Sequence, residues 1–199
     1  MKILSHEAMK AEVMIEMEAD RKKEVINACL DLFVSKGVSE TSVRDLSNAI
    51  NLQVSGMYYY FESKDDAVAT CAEEAAIQLE NNLIAPALKD ISDPERMFKR
   101  LFSRANEMAP MMRFFVQVCA SPKYSNRMQQ ALDRLTERYR FYSEKFAERL
   151  GCTKEKIEPY LYMTITAMTN YMIFGEKGYI EPQIETIKDA LNEMKYFKK

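Results

Sequence analysis

Between residues 36 and 66 the chain carries helix stop and start signals so closely spaced that only short helices fit between them. Val25, Ile26, Cys29, Leu32 and Phe33 form one apolar stripe, and Lys36-Gly37 ends it with a cation and a glycine suited to a helix C-terminus. Ser42-Val-Arg-Asp45 reads as a capping box, with Ser42 accepting from a first-turn amide and Asp45 facing the positive end of the helix dipole. The helix it opens, from about Val43 through Leu46 to Ile50, must stop near Asn51, which tolerates the left-handed conformation better than its neighbours. A third helix is expected from about Val54 to Phe61. Ser63-Lys-Asp-Asp66 repeats the capping pattern and opens a longer helix through Val68, Cys71, Ala75, Leu79 and Leu83, as far as the neighbourhood of Pro86.

The remainder extends the helical theme. Five Gly and six Pro in 199 residues leave little material for the tight turns of an all-β or α/β fold, so an all-α chain is expected. Helices are read at about 94–108, 110–120, 124–150, 154–175 and 182–196, bounded by Asp93-Pro94, Ala109-Pro110, Ser121-Pro122, Gly151, Gly175, Gly178 and Pro182. Residues 1–20 set Lys2 and Lys10 against Glu7, Glu12, Glu16, Glu18 and Asp20, a net charge of −3, and read as an acidic helical extension. The expected division is this extension at 1–20, a small helical domain at 21–68 and a larger one at 69–199, joined through the 63–85 helix rather than a flexible tether.

Two short helices separated by a turn of three or four residues, with a helix covering their apolar side, make a helix-turn-helix unit. Leu46, Ile50, Met57 and Phe61 can meet beneath the pair, which frees the opposite face of the second short helix to enter a major groove. Gln53, Val54, Ser55, Gly56, Tyr59 and Tyr60 are the candidates on that face, with Val54 suited to a thymine methyl and the polar groups to base or sugar contact. Arg44, near the start of the preceding helix whose cap is Ser42, would reach a phosphate or the groove edge.

The segment RKKEVINACLDLFVSKGVSETSVRDLSNAINLQVSGMYYYFESKDDAV resembles the N-terminal domain of the TetR family of transcriptional regulators over residues 21–70. The telling pieces are the helix ending in Lys-Gly, Thr41-Ser-Val-Arg-Asp-Leu46, and Met57-Tyr58-Tyr59-Tyr60-Phe61 followed by Ser63-Lys64. The resemblance implies a homodimer that binds a pseudo-palindromic double-stranded DNA operator, acts as a repressor, and is released by a small molecule entering the C-terminal domain. It also implies phosphate contacts from Tyr58 and Lys64. Departures from the family pattern fall at Asn51, where Gly is common, at Gln53, where Ser is common, and at Val54-Ser55-Gly56, where Lys-Gly-Thr is common. With no Arg or Asn between 53 and 60, base discrimination is expected to be modest, with a large share from DNA shape and phosphate contacts. Residues 21–66 carry a net charge of −1, low for such a module, but Asp45, Asp65 and Asp66 are assigned to helix N-termini and a dimer doubles the phosphate contacts.

Residues 97–174 are crowded with Met and aromatic side chains, which fill cores and also line adaptable pockets for apolar or aromatic ligands. The effector candidates are Phe98, Phe102, Phe115, Tyr139, Met168 and Tyr171, with Arg113 or Asn170 supplying polarity. An apolar stripe on the last two helices, Tyr160, Leu161, Thr164, Ile165 and Met172 followed by Ile184, Ile187 and Leu191, is the candidate dimer interface.

Other classes find little support. The net charge is −2 with no polybasic run, the apolar run 159–175 is interrupted by Thr164, Thr166, Thr169 and Asn170, and no leader is evident, so a cytoplasmic protein without membrane contact is expected. The single histidine, His6, lies in the acidic extension, and the sequence has no phosphate loop, metal-ligand spacing or nucleophile with its base. No enzyme activity, metal or cofactor is expected. Cys29, Cys71, Cys119 and Cys152 stand singly and read as reduced thiols. The alternative function is a helical ligand-binding or protein-interaction module without DNA recognition.

Overall fold

A computed structural model describes residues 6–196; residues 1–5 of the expected extension lie outside the described residues. Among the described residues every regular element is helical. The chain divides into two compact units, residues 1–74 and 75–199, with the boundary falling inside helix α4.

In the first unit, α1 is one continuous helix, His6–Lys36, so the acidic extension and the expected 21–36 helix are a single rod. Nothing between Asp20 and Arg21 breaks helical propensity, and the extension simply continues the turn that precedes it. Gly37 ends α1 in the left-handed region (φ 92°), and its N–H donates to the Phe33 carbonyl at 2.9 Å. Helix α2 is Val43–Ala49, opened by the expected capping box: the Asp45 amide donates to Ser42 Oγ at 3.1 Å and the Ser42 amide to Asp45 Oδ2 at 2.7 Å. Asn51 takes the left-handed conformation (φ 54°), and the Leu52 amide donates back to the Ser47 carbonyl at 3.0 Å. Helix α3, Val54–Tyr60, starts from Gln53 without a side-chain cap. Its hold comes from packing, because Met57 and Phe61 are buried with Leu46 and Ile50 of the preceding helix and turn. Val25, Cys29, Leu30 and Phe33 of α1 and Val68 and Cys71 of α4 complete this unit's core. Helix α4, Lys64–Leu79, opens with a variant of the expected box: the Asp66 amide donates to Ser63 Oγ, while the Asp66 carboxylate accepts from the amide of Glu62 rather than that of Ser63.

In the second unit a π-helical turn, Glu80–Ile84, leads into the short α5, Ala85–Leu88, with Pro86 in its first turn. A proline here has no N–H for the carbonyl one turn back and its ring crowds that carbonyl; widening the helix relieves the crowding. The Asn82 carbonyl is supplied instead by Arg104, whose Nη1 donates to it at 3.1 Å. Helix α6, Pro94–Cys119, is capped by Asp93, which accepts from the Arg96 amide at 3.1 Å. It runs unbroken through Pro110, correcting the expected division into 94–108 and 110–120. A mid-helix proline costs about 3 kcal/mol, but the buried face of Met97, Phe98, Leu101, Ala105, Ala109, Met112 and Phe115 spans both halves and holds them in line. Helix α7, Ser125–Leu150, and α8, Lys154–Phe174, end at Gly151 (φ 70°) and Gly175 (φ 77°). Helix α9, Lys177–Tyr196, begins five residues before the expected start and absorbs Pro182 within its early turns. Helix α8 packs on α6, α7 and α9, and α9 also packs on α6.

Candidate nucleic-acid interface

The two faces of α3 separate sharply. Met57 is fully buried, whereas Val54, Tyr58 and Tyr59 are 43%, 52% and 70% exposed, and Gln53 and Ser55 stand out with them. Tyr60 is half-buried, and its ring meets Tyr59 edge-on at 5.0 Å between centroids. Gly56 is half-buried over the turn: a Cβ there would lie 3.0 Å from Leu52 Cβ and 3.2 Å from Leu52 Cδ1, so the glycine is set by close approach to the turn rather than by positive φ. Ser42 and Arg44 are exposed at the start of α2, and Lys64 is half-exposed at the start of α4. The ten expected DNA-contact residues therefore all fall within the first unit, with Gly56 and Tyr60 partly withdrawn into its packing.

The electrostatics of this surface are local. Lys36 Nζ lies 2.8 Å from Asp45 Oδ2; together with the Ser42 hydroxyl and amide it holds the Asp45 carboxyl well below the usual carboxylate range. That aspartate is thus occupied in capping α2. Arg21 Nη1 pairs with Glu24 at 3.0 Å, and its Nη2 reaches the Ile50 carbonyl at 3.4 Å, bracing α1 against the end of α2. A contact with no sequence signal joins the extension to the reading helix: Tyr59 Oη donates to Glu18 Oε1 at 2.6 Å across 41 residues of sequence. The two are brought together only because α1 is a single rod.

In the second unit the effector candidates are spread over α6, α7 and α8. Phe102 meets Tyr171 edge-on at 5.3 Å, and Tyr171 Oη donates to Asn106 Oδ1 at 2.8 Å, between α6 and α8. Arg113 is exposed and donates to the Met172 carbonyl at 2.9 Å. Phe98 and Phe115 are buried on α6, Asn170 is half-buried, and Tyr139 is half-buried on α7, where desolvation pushes its phenol up to about 12. A small apolar void of about 20 Å³ is lined by Leu83, Leu88, Leu101, Met112, Leu161, Thr164, Ile165, Met168 and Met172 with Ile84 and Thr169. Only Met168 is shared with the effector candidates.

The void instead takes four residues expected at a dimer interface, Leu161, Thr164, Ile165 and Met172. Ile184, Ile187 and Leu191 are likewise buried within the single chain, and Tyr160 is half-buried. With α9 laid on α8 and α6, the apolar side of that stripe packs within the single chain. The apolar groups that α8 leaves exposed are on another face, Tyr162, Met163 and Phe174 at 66%, 39% and 73%. Among the described residues no group of three or more His, Cys, Asp or Glu could hold a metal ion, and no helix is long and apolar enough to cross a membrane.

A short helix with its apolar side locked to a preceding short helix and its polar, aromatic side exposed defines the first unit as a helix-turn-helix head of the DNA-reading class. The family model described as "Bacterial regulatory proteins, tetR family" matches residues 25–69. The likeness to that family's model lies in the helix-turn-helix segment of the first unit. Over 178 residues it is 21% identical to the biofilm operon icaADBC HTH-type negative transcriptional regulator IcaR of Staphylococcus aureus (strain Newman), covering 85% of this chain and 94% of that protein. Its fold is shared with a tetR-family transcriptional regulator from Streptomyces coelicolor, at 15% identity, TM-score 0.56 and coverage of 88% of this chain and 79% of that one. A transcriptional regulator from Rhodococcus sp. Rha1 is similar at 17% identity, TM-score 0.55 and coverage of 88% and 94%.

Proposed function

We propose that this protein is a repressor that binds a pseudo-palindromic DNA operator as a homodimer and is released by a small, largely apolar or aromatic effector. The observation that carries the reading is the division of α3, with Met57 buried beneath it and Gln53, Val54, Ser55, Tyr58 and Tyr59 presented outward. In this reading Tyr58, Lys64, Arg44 and the exposed start of α2 at Ser42 take phosphates, which fix register, while Gln53, Ser55, Tyr59 and Tyr60 reach base or sugar edges and Val54 a thymine methyl, and Gly56 lets α3 sit close over Leu52 of the turn. In this reading residues 21–68 are the DNA-binding part, 69–199 the effector and dimer part, and 1–20 an acidic extension. The negative regulator IcaR supports repression as the direction of control.

The dimer partner is assigned to the α8–α9 hairpin that carries Tyr160, Leu161, Thr164, Ile165, Met172, Ile184, Ile187 and Leu191, with the exposed Tyr162, Met163 and Phe174 of α8 offering the apolar contact surface. An effector entering at Met168 would have to enlarge the apolar void there, since 20 Å³ holds little more than a single water. Release then requires that the effector favour the arrangement that does not fit DNA, because only differential affinity shifts a population. A dimer presents its two reading helices to successive major grooves, about 34–36 Å apart.

The test compares the wild type with Tyr58→Phe/Lys64→Ala in duplex binding by fluorescence anisotropy, and with Phe174→Glu in sedimentation. Salt-sensitive binding lost in the double variant, and a wild-type dimer made monomeric by Phe174→Glu, are expected. A helical ligand-binding module would show neither salt-sensitive duplex binding nor any effect of the double variant.

A further inference from the structure

The acidic half of α1 meets the reading helix at one short hydrogen bond, and its chemistry opposes the function proposed above. Tyr59 is the most exposed aromatic of α3 and a candidate base or sugar contact. Its phenol proton is directed to Glu18 Oε1 at 2.6 Å, the length of a charge-assisted O–H···O⁻ bond. That bond raises the phenol's ionisation above its ordinary value, so the proton stays on Tyr59 and stays aimed at the carboxylate. The backbone of Glu18 is fixed within a continuous helix. It sits on the α1 rod one turn before Arg21, whose guanidinium is tied to Glu24 and to the Ile50 carbonyl at the end of α2. On the other side, the Tyr59 ring is held edge-on against Tyr60.

We infer that Glu18 is a positioning residue that restrains DNA binding: it occupies the donor of Tyr59 and presents a negative charge where phosphates must approach. This rests on the DNA-binding reading of α3. Two costs follow whenever a duplex docks. Tyr59 can donate to DNA only after its bond to Glu18 breaks, and the phosphates must come close to the Glu18 carboxylate. Arg21, one turn further along the rod, is paired with Glu24, and Lys22 at i+4 is the cation on the rod that can offset the Glu18 charge. The extension therefore holds affinity low enough for a modest change elsewhere in the protein to empty the operator.

The experiment uses the full chain and the duplex enriched by the wild type, with affinities at about 50 and 200 mM salt for wild type, Glu18→Gln, Tyr59→Phe and the double variant. Glu18→Gln should bind about tenfold tighter at the lower salt, and the gap should narrow at the higher salt as the charge is screened. In the Tyr59→Phe background the same change should tighten binding by less, the difference being the share that runs through the phenol. Glu18 is exposed, so the thermal midpoint of Glu18→Gln should stay close to that of the wild type; a merely structural role would move the midpoint and leave the salt response alone. Equal or weaker binding by folded Glu18→Gln overturns the inference while leaving the DNA reading intact. No salt-sensitive duplex binding by the wild type overturns the DNA reading itself, and the inference with it.

Discussion

Neighbouring residues 57 and 58 offer a direct trial of how α3 is oriented. Met57 is fully buried against the helix-turn-helix core, and Tyr58 is half exposed one position later. Met57→Ala removes Cγ, Sδ and Cε; at roughly 0.8 kcal/mol for each buried methylene-sized group the transfer loss is about 2.4 kcal/mol, and the cavity left behind raises it to about 3–4 kcal/mol. A unit of this size is expected to hold about 4–10 kcal/mol in all, so the substitution should consume a large part of its stability. With a urea dependence of about 1–1.5 kcal/mol per molar, the midpoint of the first unit should fall by roughly 2 M or more. Tyr58→Phe keeps the ring and removes only the hydroxyl, and should shift that midpoint by less than about 0.5 kcal/mol equivalent. It should nevertheless weaken duplex binding about tenfold, the worth of one hydrogen bond to a charged phosphate. Urea unfolding followed by circular dichroism, with anisotropy binding on the same samples, reads both. A Met57→Ala protein as stable as the wild type, or a Tyr58→Phe protein that unfolds early and binds normally, would refute the orientation of the helix.

Three further outcomes are expected. Ser42→Ala removes the acceptor for the Asp45 amide and should cost the first unit about 1 kcal/mol, while the depressed Asp45 carboxyl should stabilise above the unfolded-state value near 4 and lose that contribution as the pH falls below it; Asp45→Asn should thus be less stable than wild type near pH 6, with the gap closing in acid unfolding. Arg104→Met should cost about 1 kcal/mol by stripping the Asn82 carbonyl of its donor, and should cost less in a Pro86→Ala background, where residue 86 regains an N–H, as a double-mutant cycle in urea would show. Cys29, held up to about 11 by burial, and Cys71, raised further, should resist thiol reagents at pH 8 until the first unit unfolds, so that early labelling of either by mass spectrometry would contradict their burial.

What could be read in advance was governed by local chemistry. The start of α2 at Val43 follows from Ser42 and Asp45, its stop from the left-handed Asn51, and the buried quartet Leu46, Ile50, Met57 and Phe61 from their spacing. Where neighbours in space decide, the same reasoning misplaced elements. Pro110 marks a break by its own chemistry, but the buried face on both sides of it keeps α6 whole. The stripe of Ile184, Ile187 and Leu191 is amphipathic in either reading, and periodicity alone does not say whether the covering surface is α8 of the same chain or a second copy. Arg104 with the Asn82 carbonyl, and Glu18 with Tyr59, are pairings set by tertiary structure, and nothing in their separations of 22 and 41 residues announces them. Residue type alone marks the effector candidates, whereas in the fold Phe102, Tyr171 and Arg113 spend that chemistry on Asn106, on each other and on the Met172 carbonyl.

The central claim is that the exposed face of α3 reads double-stranded DNA in two symmetry-related copies. Selection of purified protein against random duplexes, followed by affinity measurements on any enriched sequence at about 50 and 200 mM salt, addresses it most directly. The account predicts enrichment of an inverted repeat whose half-sites lie about one helical turn apart, or a multiple of it, with affinity falling steeply as salt rises. A folded dimer, freed of small molecules and checked by mass spectrometry, that enriches no sequence and shows no salt-sensitive binding would contradict it.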